Sequence, residues 1–140
     1  IIRLHKGPHH ELLTPACINT FCETSFTINP NSNRMGVRLD HQNTAIMQHT
    51  LSLPSVAVAP GSIQLPPDGN PIVLLNDGQT TGGYPLIAHV IEADLHQFAQ
   101  FRTADPITFE FVSLEQANAA KEKLDAHLAQ LKLSLSQYWN

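Results

Sequence analysis

Short apolar segments separated by Gly- and Pro-rich turns constrain the fold of this chain more than any other feature. The segments either alternate apolar with polar residues or form short continuous apolar runs, and both patterns are typical of strands. Turn sequences such as Pro66-Pro67-Asp68-Gly69 end them. We therefore predict about seven short strands, drawn from the segments 1–4, 26–28, 35–39, 50–53, 62–65, 71–75, 87–91 and 107–112.

Helical signals lie near the two ends of the chain. Thr14 followed by Pro15 is a typical helix start, with the threonine as N-cap and the proline in the first helical position. Ser113 and Gln116 have the spacing of a capping box, and an apolar stripe of helical period follows them. We therefore predict one helix near each end.

Length and composition fit one folded domain. The chain has 140 residues, of which 42% are hydrophobic and 14% are charged, and this is enough apolar material to bury a core. Helices do not alternate with strands, so a parallel α/β fold is disfavoured. We predict a single, mainly β domain over residues 1–140, with helices flanking a barrel or a strongly bent sheet.

Charge and apolar patterning exclude two classes of partner. The net charge is -4 and the eight Lys and Arg residues are scattered, whereas a nucleic-acid binder carries a basic face. No apolar run approaches the roughly 20 residues that a membrane-spanning helix needs, and the sequence begins without a signal-peptide pattern. Cys17 and Cys22 lack zinc-ligand spacing, and we expect free thiols in the cytoplasm.

The segment 77–85 is the first candidate for a functional site. It joins two apolar runs, yet it concentrates a carboxylate, an amide, hydroxyl groups and glycines that would let backbone N–H groups approach a ligand. A small polar amide or carboxylate would suit these groups. The alternative, that the side chains bond only their own backbone, stays open. The candidate residues are Asp77, Gln79, Thr80, Thr81, Gly82, Gly83 and Tyr84.

Two arginines and a glutamine are further candidates. Arg34 and Arg38 are four residues apart, so on a strand they would share a face and could converge on one anion. Gln64 lies in an apolar strand, where its amide needs either a ligand or a neighbouring strand as partner. Ordinary salt bridges and structural hydrogen bonds are the alternatives. The eight histidines show no ligand spacing, and we expect no metal site.

Three blocks of sequence give a specific resemblance. The blocks 33–39 (N-R-M-G-V-R-L), 60–66 (P-G-S-I-Q-L-P) and 77–85 (D-G-Q-T-T-G-G-Y-P) resemble the allophanate hydrolase subunit 2 family in content, order and spacing. This family is also described as KipA-like and biotin-dependent carboxyltransferase. The resemblance is greatest to those members that are the C subunits of 5-oxoprolinases. It implies a cyclophilin-like β-barrel and a chain that corresponds to the C-terminal domain of a two-domain member, without the N-terminal domain.

The resemblance also implies a function and partners. Members of this kind act with two further subunits, one KipI-like and one LamB/YcsF-like, and they couple ATP hydrolysis to conversion of 5-oxo-L-proline to L-glutamate. The chain would then be part of an ATP-dependent lactam hydrolase, inactive as an isolated domain. ATP would be needed by the complex. Two alternatives remain open: a urea carboxylase or allophanate hydrolase carboxyltransferase domain that uses biotin, and a KipA-like antagonist of a KipI-type kinase inhibitor.

Site roles follow from residue chemistry within that resemblance. Asp77 and Arg34 would be catalytic, with Asp77 holding an N–H group or acting as a base. Arg38 or Arg34 would bind an anionic group, while Gln64 and Gln79 would orient a substrate amide.

Overall fold

The computed structural model describes residues 1–43 and 47–138. Ten strands lie within these residues. They are β1 (Ile2–Lys6), β2 (Phe26–Ile28), β3 (Gly36–Asp40), β4 (Val56–Ala57), β5 (Ser62–Gln64), β6 (Ile72–Leu74), β7 (Thr81–Gly82), β8 (Leu86–Val90), β9 (Pro106–Ile107) and β10 (Phe109–Phe111). The mainly β prediction is therefore confirmed.

One eight-stranded sheet curls into a nearly closed barrel. Its strand order is β10-β1-β8-β5-β6-β3-β2-β9, so the two edge strands are consecutive in the chain. Only Thr108 separates them, and its carbonyl accepts a hydrogen bond from the backbone N–H of Ile2 at 2.8 Å. One short segment thus joins both edges of the sheet, which satisfies edge groups that would otherwise attract another chain. The predicted barrel is confirmed.

α-Helices with bounds inside the described residues flank the barrel. They are α1 (Pro15–Glu23), α2 (Glu92–Leu95) and α3 (Leu114–Tyr138), and short 3-10 helices occupy His10–Leu12 and His96–Ala99. Both predicted caps are confirmed. Thr14 Oγ1 accepts from the N–H of Cys17 at 3.2 Å. Ser113 and Gln116 exchange bonds of 2.9 and 3.1 Å, as a capping box does. In the described part of the chain, no helix has the length and apolarity to cross a bilayer.

Aromatic rings fill the contact between α1 and the barrel. Phe21 of α1 stacks on Phe109 of β10 with ring centroids 5.0 Å apart, and it also packs against Phe26 of β2 at 5.3 Å. The three rings are at most 3% exposed. Burial of one such side chain stabilises a fold by about 1.5–3 kcal/mol, so this cluster fixes α1 on the barrel. Cys17 and Cys22 on the same helix are free thiols, as predicted.

One predicted strand is wrong. Residues 50–53 form no ladder, because their backbone is held by the side chain of His49. Its Nδ1 accepts from the N–H of Leu51 at 3.1 Å, and its Nε2 lies 2.7 Å from the carbonyl oxygen of Leu65. A side chain that bonds nearby backbone groups competes with strand pairing. The segment therefore follows the barrel as a loop.

Two short strands were missed by sequence reasoning. β4 and β7 pair with each other in a separate two-stranded sheet, in the register Val56 with Gly82 and Ala57 with Thr81. We call this sheet the outer flap. Each strand has two residues, too few to show a period. The two strands lie far apart in the sequence, and local sequence patterns do not encode such a pairing.

An ion pair ties the start of the barrel to α2. Asp94 is 1% exposed, and its carboxylate accepts from the Arg3 guanidinium at 2.6 and 2.9 Å and from the Arg3 backbone N–H at 2.8 Å. Burial by itself raises the pKa of Asp94, but the hydrogen bonds and charge of Arg3 outweigh it and hold that pKa below 3.8. The same hydrogen bonding raises the pKa of Arg3.

We expect Asp94→Asn to lower the free energy of unfolding by about 2 kcal/mol at neutral pH, since charge-assisted bonds to a partly exposed arginine are lost. A depressed folded-state pKa stabilises the fold above about pH 4, and that stabilisation is lost as pH falls through the folded pKa. Denaturant titrations should show the difference between wild type and variant shrinking below about pH 4. A difference that stays constant under acid conditions would contradict this role.

The second half of α3 projects from the body. Ala117, Ala120 and Leu124 pack against α2 and the end of β8, whereas Leu128, Leu131 and Leu135 are 45–59% exposed. We expect a chain that ends after Ala126 to keep its melting temperature within about 2 °C, because exposed helical turns add little to stability. Thermal unfolding followed by circular dichroism checks this. A loss above about 5 °C would show that the distal turns stabilise the barrel.

Candidate functional site

Two turns dock against each other and bring Arg34 to Asp77. Arg34 and Met35 form a tight turn closed by mutual backbone bonds between Asn33 and Gly36. The Leu75 N–H donates to the Met35 carbonyl at 3.1 Å, which joins this turn to the start of the 77–85 segment.

Gly78 is required for that approach. A β-carbon at this position would lie 2.8 Å from the carbonyl oxygen of Met35 and 2.9 Å from that of Leu75, both of which are backbone atoms. The absence of a side chain lets the two turns touch. Arg34 Nε then lies 3.3 Å from Asp77 Oδ2. Asp77 bonds a neighbouring arginine, so the alternative that it serves only its own backbone is not what the structure shows.

The Arg34–Asp77 pair stands beside a cavity of about 810 Å³. We call it the first cavity. Its walls are largely apolar, and its polar groups come from the ion pair, Glu92, His96 and serine, asparagine and threonine side chains. An apolar cleft with a few polar groups is typical of a small-molecule site. Its apolar lining includes Ile28, Val37, Leu75, Leu95, Phe98 and Phe101.

Arg38 does not converge with Arg34, so the predicted anion clamp of two arginines is wrong. β3 begins at Gly36, after the turn that holds Arg34, so the two residues are not on one strand. Arg38 instead lines a second cavity of about 640 Å³, together with Tyr84. We call it the outer-face cavity. The two cavities adjoin, because Asn33 lines both.

Gln64 is buried beneath the outer flap. Its side chain is 2% exposed, and within the described residues its Nε2 has no hydrogen-bond partner. A β-carbon on Gly82 would lie 2.2 Å from this atom and 3.0 Å from Nε2 of Gln79. The structure therefore brings Gln64, Gln79 and Gly82 close together.

The remaining predicted residues of the 77–85 segment are spread along it. Thr80 and Thr81 are exposed, and Thr81 is part of β7. Gly83 faces the carbonyl oxygen of Leu53 and the hydroxyl of Ser55, at 3.4 and 3.6 Å from an ideal β-carbon. The segment thus serves the first cavity with Asp77 and the outer face with its later residues.

Several histidines serve the backbone. His9 Nδ1 accepts from the Leu86 N–H at 2.9 Å, and His41 Nε2 lies 2.7 Å from the Gly69 carbonyl oxygen. His89 lies 3.4 Å from the Ser62 hydroxyl, and burial together with nearby His5 lowers the pKa of His89. Across residues 1–43 and 47–138, no group of three or more His, Cys, Asp or Glu side chains could hold a metal ion.

Sequence reasoning missed the contribution of the 29–33 segment. It reads as an asparagine-rich turn, yet Asn29, Asn31 and Asn33 all line the outer-face cavity. Three asparagines within five residues were the signal of a polar site that the sequence offered. Phe98 and His96 of the first cavity carried no such signal, since a short helix with an aromatic residue is usual in a core.

Comparison with known proteins gives the family. Residues 1–111 match the family described as "Carboxyltransferase domain, subdomain A and B". The chain is 46% identical over 107 residues to the 5-oxoprolinase C subunit of Haemophilus influenzae, a match that covers 76% of this chain and 34% of that protein. It is 41% identical over 132 residues to the 5-oxoprolinase C subunit of Escherichia coli, a match that covers 93% of this chain and 42% of that protein.

A solved structure agrees with these matches. The crystal structure of K. lactis urea amidolyase superposes with a TM-score of 0.79 at 27% identity, over 89% of this chain and 8% of that one. The chain spans less than half the length of the two 5-oxoprolinase subunits that it matches. From the extent of the family match and the agreement of the fold, the chain belongs to the carboxyltransferase domain family of subdomains A and B.

Proposed function

We propose that this chain is a domain of the C subunit of a 5-oxoprolinase, within a cytoplasmic complex that couples ATP hydrolysis to the conversion of 5-oxo-L-proline to L-glutamate. The observation that carries the proposal is the Arg34–Asp77 pair, 3.3 Å apart beside an 810 Å³ cavity with apolar walls. The two matches to 5-oxoprolinase C subunits, at 46% and 41% identity, supply the substrate class.

The chemistry of lactam opening suits these groups. Water adds its oxygen to the carbonyl carbon, the C–N bond breaks, and a proton passes to the ring nitrogen. Asp77 is the base that takes a proton from the attacking water or holds the ring N–H. Arg34 orients that carboxylate and stabilises negative charge that develops on the carbonyl oxygen. The side chains of Arg34 and Asp77 are 92% and 54% exposed, so water reaches the pair until a substrate packs against the apolar walls of the cavity.

ATP is assigned to another part of the complex. Arg34 is the only Lys or Arg side chain among the described residues that line the first cavity, and it already faces Asp77. One paired cation does not fit a triphosphate, which needs several donors or a phosphate-binding loop. We propose that two partner subunits, one KipI-like and one LamB/YcsF-like, complete the enzyme together with an N-terminal domain that precedes this one in the same protein.

We expect Asp77→Asn, in the full-length protein assembled with its partners, to lower kcat/KM for 5-oxo-L-proline-dependent ATP hydrolysis by about 10²–10⁴-fold, because a general base is lost. Arg34→Gln should lower it by about 10–100-fold, which corresponds to one charge-assisted hydrogen bond. Coupled detection of ADP release measures both values.

Asp125→Asn is the matched control. Asp125 forms an exposed ion pair with Lys121 at 3.5 Å on α3, so its loss resembles that of Asp77 without touching either cavity. All three variants should keep their stability within about 0.5 kcal/mol, since exposed ion pairs contribute little. A kcat/KM equal to that of the wild type in both Asp77→Asn and Arg34→Gln would contradict the assignment of these two residues to the active site.

A urea carboxyltransferase role is the second candidate. The superposition on K. lactis urea amidolyase at 27% identity favours it. In that case biotin would carry the carboxyl group, and urea rather than 5-oxo-L-proline would be the acceptor. An assembled complex that carboxylates urea and shows no ATP hydrolysis with 5-oxo-L-proline would establish this alternative over the first.

A further inference from the structure

Gln64 holds an unpaired amide in the interior of the protein. The residue is 2% exposed, and its Nε2 has no hydrogen-bond partner in the part of the chain that the structure describes. A buried donor without a partner has lost its bonds to water and gained none in return. Such a group destabilises the fold, and it is free to donate to a ligand that reaches it.

The outer flap covers this amide and can leave it. Gly82 is the flap residue in contact, since a β-carbon there would lie 2.2 Å from Gln64 Nε2. The flap forms its own two-stranded sheet and takes no part in the ladder of the barrel. It can therefore shift without breaking a backbone bond of the eight-stranded sheet, and that shift would open Nε2 to a ligand.

Gln64 belongs to the same face of the sheet as Arg38. Gln64 of β5 is paired with Ile72 of β6, and Ile72 is paired with Arg38 of β3. Residues in register on neighbouring strands point to the same side. Two strand spacings separate the first and third members by roughly 10 Å between Cα atoms. Two long side chains over that distance can reach the ends of one small ligand.

The outer-face cavity carries charges of both signs. Arg38 lines it together with Asp40 and Asp68, and Tyr84 and asparagine side chains supply further hydrogen-bonding groups. A zwitterion matches such a lining, because its carboxylate suits arginine and its ammonium suits the two carboxylates. A lactam does not match it as well, since its nitrogen is an uncharged amide. Gln64 is not part of this lining while the outer flap covers it, and its amide would add one donor beside Ile72 once the flap shifts.

We propose that the outer-face cavity binds a free α-amino acid whose side chain ends in a carbonyl or carboxylate oxygen. Gln64 Nε2 donates to that terminal oxygen, Arg38 binds the α-carboxylate, and Asp40 and Asp68 receive the α-ammonium group. The choice of L-glutamate as the probe rests on the proposed function, of which it is the product. Asn33 contributes to the lining of both cavities.

Gln64→Met tests the proposal with two readouts in the full-length protein. Removal of an unpaired buried amide should raise the melting temperature of the ligand-free protein by several degrees, whereas loss of a structural hydrogen bond would lower it. By calorimetry, the variant should bind L-glutamate about tenfold or more weakly than wild type. L-Glutamine, probed in the same way, tells whether the terminal oxygen must be charged.

A variant inside the cavity and a variant remote from it provide a matched pair. Arg38→Gln removes the guanidinium that binds the α-carboxylate, so it should weaken L-glutamate binding about tenfold or more. Asp125→Asn lies on α3 outside the lining of either cavity, and its affinity should stay within about twofold of wild type. 5-Oxo-L-proline should compete with L-glutamate about tenfold or more weakly, because it lacks the ammonium group.

The proposal is overturned if wild type shows no L-glutamate binding, if Gln64→Met leaves the affinity unchanged, or if that variant melts at a lower temperature. These measurements need no turnover. The binding and melting results can therefore be interpreted even if the complex fails to hydrolyse 5-oxo-L-proline. A failure of the proposed function would appear instead in the activity of the Asp77 and Arg34 variants.

Discussion

Closure of the barrel by the segment Pro106–Phe111 is the constraint on which the rest of the structure depends. β9 pairs with β2 and β10 pairs with β1, so one stretch of chain links the two edges of the sheet. The sheet thereby becomes a rigid scaffold on which loops and outward-facing strand residues hold functional groups at defined positions.

The two cavities use this rigidity in different ways. The first depends on turns that meet at one end of β3 and β6, where Gly78 lets Asp77 reach Arg34. The outer-face cavity depends on register, since Arg38 and Ile72, which both line it, are paired on neighbouring strands. The contacts of the first cavity are made by loops, so they can change readily when a loop changes its conformation. Those of the outer-face cavity are fixed by backbone pairing, so any change of register would displace both side chains together.

Helix caps were predicted reliably from the sequence, whereas strand boundaries and side-chain bonds to the backbone were not. The caps at Thr14 and Ser113 were predicted because each depends on residues within one helical turn. Residues 50–53 were predicted as a strand, because nothing in their pattern reveals that the His49 ring bonds their backbone. The separation of Arg34 from Arg38 depends on a turn that ends one residue before β3, a boundary that periodicity does not resolve.

The candidate site shows the same division. Asp77, Gln79 and Gly82 were selected because polar groups and glycines between apolar runs are unusual. The sequence could not show that Asp77 lines the first cavity while Gly82 covers Gln64, since that depends on where the outer flap lies. The unpaired amide of Gln64 is visible only in three dimensions, because it needs both the burial of β5 and the nearness of Gly82. Local rules of foldability are usually broken where a protein binds or reacts, and this amide breaks the rule that buried donors are paired.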